Sequence, residues 1–153
     1  MKTDAGSNES VWTATADIPP RPALAADDSA NVCIVGAGIA GLTTAYMLAC
    51  EGKSVIVLDD GVVAGGETGR TTGHLSNALD DGYVELERLH GERGARLAAD
   101  SHTRAIGEIE KIVREENISC DFRRVDGYLF AAPGASEAEH LQLELEAAQR
   151  AGL

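Results

Sequence analysis

The chain has 153 residues, which fits one domain, and its net charge of −12 argues against a nucleic acid or an anionic membrane as a partner. No stretch approaches the ~18 uninterrupted apolar residues of a membrane helix, and the first residues lack a secretory signal pattern. Three scattered cysteines without a C-x-x-C pair predict buried, reduced thiols and a cytoplasmic protein, not a disulfide framework or a metal site.

The first 31 residues differ from the rest of the chain. Residues 1–31 show no sustained hydrophobic period, and the segment 18–24 (IPPRPAL) contains three of the four prolines. This pattern predicts an extended or mobile N-terminal arm, with Trp12 packed onto the body of the protein. The compact part is expected to begin at Val32 and to cover residues 32–153.

A strand, a helix and a second strand follow within fewer than thirty residues. Residues 32–35 are an apolar run, apolar residues recur at helical spacing from Ile39 to Cys50, and residues 54–60 are rich in β-branched side chains. This order requires a parallel pair with a right-handed crossover, and we expect both strands to be buried on both faces. Cys33 and Cys50 are then small core side chains. The predicted fold class is α/β, with a Rossmann-like nucleotide-binding core.

The second half of the chain is predicted to be mostly helical. A glycine- and threonine-rich loop covers residues 61–79, and helical patterns cover residues 82–90 and 92–117. Residues 120–132 have strand character on both sides of a Gly, which predicts a hairpin or a bulged strand before a last acidic helix. Three histidines on polar, helix-like stretches are expected at the surface, with no partner at metal-ligand spacing: His90, His102 and His140.

The turn after the first strand contains three glycines at G-x-G-x-x-G spacing. In a dinucleotide fold, Gly36 permits the tight turn, Gly38 lets a pyrophosphate approach the backbone, and Gly41 lets the helix pack closely on the strand. The phosphates then face the free N–H groups of the helix N-terminus. Asp59 ends the next strand, where a carboxylate accepts hydrogen bonds from ribose hydroxyls. The alternative is an ordinary β-α-β unit with a glycine turn and an exposed aspartate.

The glycine turn does not distinguish NAD from FAD, because both contain ADP. The segment 65–75 (GGETGRTTGHL) favours FAD, because it offers more charged and hydroxyl groups for cofactor binding than an NAD domain usually has there. Arg70 can neutralise phosphate charge, while Thr68, Thr71 and Thr72 offer hydroxyl groups. A mobile surface loop is the alternative for this segment.

Four segments together resemble a known family, the FAD-dependent oxidoreductases of the D-amino-acid oxidase superfamily. They are SVWTATADIPPRPAL (10–24), VCIVGAGIAGLTTAYMLACEGKSVIVLDD (32–60), GGETGRTTGHLSNAL (65–79) and ISCDFRRVDGYLFAA (118–132). The resemblance is to the N-terminal part of the subgroup that often carries a C-terminal Rieske iron–sulfur domain. Such flavoproteins usually have Glu at the position of Asp59, and this difference leaves the NAD alternative open.

The resemblance implies a role for each motif residue. The pyrophosphate contacts would be Gly36, Gly38, Ile39, Ala40 and Gly41. Asp59 would hold the adenosine ribose. The residues lining the path towards the isoalloxazine would be Thr68, Arg70, Thr71, Thr72 and His74. For His74, a hydrogen-bonding or solvent-facing role is expected in preference to a covalent bond with the flavin.

The resemblance also implies an activity, the oxidation of an amine or amino-acid-like substrate by hydride transfer to FAD. The electrons would pass to dioxygen or to a 2Fe-2S Rieske cluster elsewhere in the parent chain, outside this segment. We expect this chain to be the N-terminal piece of such an enzyme, inactive alone, and no catalytic residue is assigned. Two other functions stay open: an NAD-dependent dehydrogenase, supported by Asp59, and a non-catalytic nucleotide-binding module.

Overall fold

A computed structural model describes residues 10–130 and 135–153, and the side chains of residues 135–137 are outside this description. The chain divides after Gly73 into two compact units. The first contains a short helix α1 (Val11–Thr15), strand β1 (Val32–Val35), helix α2 (Ile39–Cys50), strand β2 (Val55–Leu58) and a 3-10 turn (Glu67–Arg70). The second contains helices α3 (Gly82–Glu115) and α4 (Ala135–Ala151).

The predicted parallel β-α-β core is confirmed. Strands β1 and β2 pair in parallel with a register that runs from Val32 opposite Val55 to Val35 opposite Leu58. The side chains of Asn31 and Ser54, which precede the two strands, exchange hydrogen bonds of 2.9 Å with each other's backbone N–H groups. These bonds join the strands at their start, so both end beside the glycine turn.

The prediction that the strands are buried on both faces is wrong for β1 in this chain. Burial alternates along β1, and Val35 is 86% exposed. Cys33 and Cys50, expected in the core, are both exposed and free, as is Cys120. The reason is that the described residues supply a two-stranded sheet, and the face that carries Cys33 and Val35 has little packed against it.

Helices α3 and α4 make the second unit, and small side chains form most of their contact. The buried residues are Tyr83, Ala95, Ala99, Ala147 and Ala151. The larger aliphatic side chains of α3 lie outside this buried set, and Leu97 is 59% exposed. Alanines allow the two helix backbones to approach closely, which leaves the longer side chains beside the contact.

Polar side chains fix how α4 meets the start of α3. The Glu144 carboxylate accepts hydrogen bonds from the backbone N–H groups of Tyr83 and Val84, the latter at 3.0 Å. It therefore caps α3, whose own N-cap residue Asp81 makes no side-chain capping bond. Arg150 forms a bidentate ion pair with Glu87 at 2.7 Å.

The two predicted helices, 82–90 and 92–117, are present as one helix with a break. Gly91 has φ 70° and ψ 168°, and residues on both sides of it are helical. We expect Gly91→Ala to destabilise α3 by about 1 kcal/mol, because a side chain disfavours positive φ. Gly107 has helical geometry and open space where a Cβ would stand, so Gly107→Ala should stabilise α3 by about 1 kcal/mol. Amide hydrogen exchange along α3 measures both effects, and equal exchange in the two variants would contradict the assignment of the break.

The predicted hairpin or bulged strand at 120–132 is wrong for the residues that the structure describes. Residues 121–130 form no helix or strand. Their apolar side chains are not buried either, since Val125 and Phe130 are 84% and 85% exposed. The apolar pattern is that of a strand, but a strand also needs a neighbour for its backbone N–H and C=O groups, and no described residue provides one. The last two residues of the predicted hairpin, 131–132, lie outside the described residues.

Candidate functional site

The glycine turn joins the end of β1 to the start of α2. Gly36 has φ +102°, a conformation that favours glycine, and its N–H donates to the Leu58 carbonyl at 2.7 Å. A Cβ on Gly41 would collide with the Gly36 carbonyl oxygen and lie 3.3 Å from a methyl carbon of Ile34. Glycine is therefore favoured at position 36 by the backbone conformation and at position 41 by close packing, and both reasons involve the protein alone.

The N-terminus of α2 presents backbone N–H groups beside this turn. Gly38 is its N-cap and has no side chain to cap the helix, and the first intrahelical bond joins Leu42 N–H to the Gly38 carbonyl at 2.9 Å. The Ile39 N–H donates to Thr68 Oγ1 at 2.9 Å. Within residues 10–130 and 135–153, the N–H groups of Gly38, Ala40 and Gly41 have no hydrogen-bond partner. Unpaired N–H groups and the helix dipole suit an anion such as a phosphate.

Asp59 follows β2 and its carboxylate binds the glycine turn. Oδ2 accepts from the Ala37 N–H at 2.6 Å, and Oδ1 accepts from the Gly61 N–H at 2.8 Å. These two hydrogen bonds hold the pKa of Asp59 below its ordinary value of 3.8, and the bond from Ala37 has the larger effect. The carboxylate is charged at neutral pH, and its stabilisation of the turn is complete above its ordinary pKa and is lost as the pH falls through the lowered pKa.

The loop after β2 folds back over the glycine turn. Ala64, at φ 58°, donates its N–H to the Ala37 carbonyl at 2.9 Å. A Cβ on Gly38 would stand 3.1 Å from Thr68 Oγ1, so the missing side chain of Gly38 makes room for the Thr68 hydroxyl. The structure therefore brings together six of the predicted site residues around one turn: Gly36, Gly38, Ile39, Gly41, Asp59 and Thr68.

The remaining predicted residues have fewer contacts. Ala40 is exposed in the first turn of α2. Arg70 is partly buried, donates from Nη1 to the Gly66 carbonyl at 3.4 Å, and forms no ion pair within the described residues. Thr71 and Thr72 are exposed at the end of the loop, and His74 is exposed at the first position of the second unit.

Helix α1 also contacts this loop, and the sequence assigned it no function. The Trp12 Nε1–H donates to the Thr71 carbonyl at 2.6 Å, and the Ser10 hydroxyl bonds to the Gly69 carbonyl. The predicted packing of Trp12 onto the body of the protein is therefore observed. The available signal was a lone tryptophan in a polar segment, next to a Ser-x-x-Thr pattern that caps the helix through Ser10 and Thr13.

Comparison with known proteins adds the family. Residues 31–153 match the model of the family described as DAO, FAD dependent oxidoreductase. The chain belongs to this family. The predicted α/β fold with a Rossmann-like core agrees with that membership, and the resemblance seen in the sequence is confirmed.

Three curated relatives in this family are similar to the chain. A putative Rieske 2Fe-2S iron–sulfur protein, YhfW, of Bacillus subtilis is 34% identical over 145 residues, which are 95% of this chain and 28% of that protein. The probable oxidoreductase OrdL of Haemophilus influenzae is 33% identical over 125 residues, 82% of this chain and 28% of that protein. The gamma-glutamylputrescine oxidoreductase of Escherichia coli is 30% identical over 122 residues, 80% of this chain and 28% of that protein.

The chain spans 28% of the length of each of these relatives. No solved structure matches it. Within the described part of the chain, no helix has the length and apolarity needed to cross a membrane. The same residues contain no cluster of three or more His, Cys, Asp or Glu side chains that could hold a metal ion. The three helix histidines, His90, His102 and His140, are exposed, as predicted.

Proposed function

We propose that residues 32–73 bind the ADP portion of FAD in a longer flavin-dependent oxidoreductase that acts on an amine or amino-acid-like substrate. The observation that carries this proposal is the pairing of unpaired N–H groups at the start of α2 with the charged Asp59 carboxylate, both at one glycine turn. The N–H groups suit the pyrophosphate and the carboxylate suits the ribose hydroxyls. Membership of an FAD-dependent family favours FAD over NAD.

The chain's own residues would hold and orient the cofactor. Gly38, Ala40 and Gly41 would donate backbone N–H groups to the pyrophosphate, beside Gly36 and Ile39. The Asp59 oxygens each accept one backbone hydrogen bond and keep a lone pair for a ribose hydroxyl. Thr68 and Arg70 would contact the phosphate side, and Thr71, Thr72 and His74 would continue towards the ring. When bound, FAD supplies the hydride acceptor, while the protein supplies binding, orientation and electrostatics.

The substrate class rests on the relatives. One of them is a gamma-glutamylputrescine oxidoreductase, which supports an amine-like small molecule as the substrate of the full-length protein. Similarity to a putative Rieske protein supports a 2Fe-2S cluster as one electron acceptor, with dioxygen as the other. The three free thiols support a cytoplasmic location.

A visible absorption spectrum of the purified full-length protein tests the cofactor. We expect the two flavin bands, released with the cofactor on denaturation, and bleaching of those bands when an amine substrate such as gamma-glutamylputrescine is added without oxygen. A colourless protein that binds NAD instead would support the dehydrogenase alternative. A colourless protein that binds neither would support the non-catalytic module.

The Asp59→Asn variant tests the ribose contact. An asparagine offers one acceptor oxygen, and its NH2 group would face a backbone N–H donor of Ala37 or Gly61. We expect FAD affinity to fall by about tenfold or more, the loss of a hydrogen bond to a charged group. Flavin fluorescence titration of the full-length apoprotein measures it, and Asp60→Asn, an exposed neighbouring carboxylate, is the matched control. Equal affinities in the two variants would remove Asp59 from the site.

Arg70 variants test the phosphate side of the site. Arg70→Lys keeps the charge and loses the planar fork of donors, whereas Arg70→Ala loses both. We expect FAD affinity to fall by about threefold in the first and by about tenfold or more in the second. Arg123→Ala is the control, because it makes the same change in net charge at an exposed position of the second unit. If both Arg70 variants bind FAD like the control, the loop does not contact the phosphates.

A further inference from the structure

Helix α1 is held in place by the glycine-rich loop at 65–73. Besides the bond from Trp12 to the Thr71 carbonyl, the indole ring lies directly against Gly73. A Cβ on Gly73 would stand 2.6 Å from Trp12 Cζ2, and Gly73 also has φ +72°. Position 73 therefore requires glycine for two reasons: the indole leaves no room for a Cβ, and the backbone has a positive φ.

Gly69 supports the other end of the same contact. It is buried, its carbonyl accepts from the Ser10 hydroxyl, and a Cβ there would lie 3.2 Å from the Thr13 methyl carbon and 2.8 Å from the Ala64 carbonyl oxygen. Two of the loop glycines, Gly69 and Gly73, thus have a structural reason. They accommodate α1.

The contacts continue from the loop to the glycine turn. Thr68 belongs to the same 3-10 turn as Gly69, and its hydroxyl accepts the Ile39 N–H at the start of α2. Helix α1 has five residues and buries none of them, so neither its own hydrogen bonds nor a core stabilises it. Its order depends on the loop, and the same contacts restrict the loop.

We propose that α1 is a clasp that fixes the loop 65–73 over the glycine turn, and that Ser10 and Trp12 are positioning residues for the FAD site. This inference rests on the proposed function. The clasp acts through Thr71 and Gly69 on the neighbouring Thr68 and Arg70, so the ordering of the loop is complete before the cofactor arrives. Without the clasp, FAD binding includes the cost of ordering that loop.

Two measurements on the full-length protein test the clasp. The first is amide hydrogen exchange of residues 65–73 in the cofactor-free protein, with β1 as the internal reference, and the second is FAD affinity. In Trp12→Ala we expect exchange in 65–73 to rise and FAD affinity to fall, each by about tenfold, with exchange in β1 unchanged. Trp12→Phe keeps a ring against Gly73 and loses the N–H bond, so it should restore most of both properties.

Matched variants separate the clasp from general damage. Gly73→Ala should reproduce Trp12→Ala, whereas Gly107→Ala, which adds the same methyl group in open space on α3, should leave exchange in 65–73 and FAD affinity as in wild type. Val11→Ala, on the exposed side of α1, should also behave like wild type. Unchanged exchange in Trp12→Ala, or raised exchange with unchanged FAD affinity, would overturn the clasp as a positioning device. Wild-type protein that binds no FAD would overturn the proposed function and the positioning role together.

Discussion

The Gly41→Ala variant is expected to lose FAD binding and the packing of α2 against the glycine turn. One added methyl group would collide with the Gly36 carbonyl oxygen, and a backbone atom in a tight turn has no room to move aside. We expect a destabilisation of about 3 kcal/mol or more in the first unit, at the upper end for overpacking. Helix propensity alone predicts the opposite sign, since alanine stabilises a helix interior by about 1 kcal/mol relative to glycine.

A loss of stability in Gly41→Ala would therefore indicate the collision with the Gly36 carbonyl, whereas a gain would indicate that helix propensity dominates. Hydrogen exchange across α2 and β1 of the full-length protein, together with its flavin content after purification, measures the effect. Gly107→Ala adds the same methyl group in open space, at a helical position of α3, and is expected to keep both properties. If Gly41→Ala retains stoichiometric flavin, the close approach of α2 to the turn is not required for the site.

The 153-residue chain purified alone is expected to unfold without one cooperative transition and to show no tight FAD binding. Among the described residues, the buried hydrophobic side chain of the first unit is Ala37, and those of the second are one tyrosine and four alanines. Burying an alanine methyl contributes on the order of 1 kcal/mol, whereas ordering each residue costs about 1–2 kcal/mol. Val35 and Phe130, by contrast, stay exposed.

Calorimetry and hydrogen exchange of the purified chain decide this point. We expect a broad, weak heat absorption and fast exchange in β1 and β2, with the strongest protection in α3. A sharp melt, protected amides from Val32 to Leu58 and FAD binding at micromolar concentration would contradict the expectation. They would show that the chain supports the cofactor site without further polypeptide.

Local pattern predicted much of the first unit. The bounds of β1 and α2 agree with the sequence pattern, because an apolar run, a glycine turn and a helical period each depend on a few adjacent residues. The tight turn at Gly36 and the close packing at Gly41 were predictable for the same reason. The role of each residue in binding FAD stays a prediction.

The errors involve contacts that the local sequence does not contain. Cys33 was placed in the core because β1 is apolar, yet burial depends on what covers the sheet. Residues 121–130 have a strand pattern but no partner strand among the described residues. The bonds from Ser10 and Trp12 to the loop each join residues 59 positions apart, and no periodicity reports a contact at that separation.

The contact between Trp12 and Gly73 makes Trp12 an intrinsic fluorescence probe of the loop 65–73. Trp12 is the sole tryptophan of these 153 residues, and its indole donates a hydrogen bond to the loop that we propose as the path towards the flavin ring. Indole emission shifts with hydration, and it overlaps flavin absorption, so a nearby flavin quenches it by energy transfer. In the 153-residue chain, the emission of this one side chain therefore reports on the order of the loop, and the absence of quenching by added flavin would agree with the expectation that this chain alone does not bind FAD tightly.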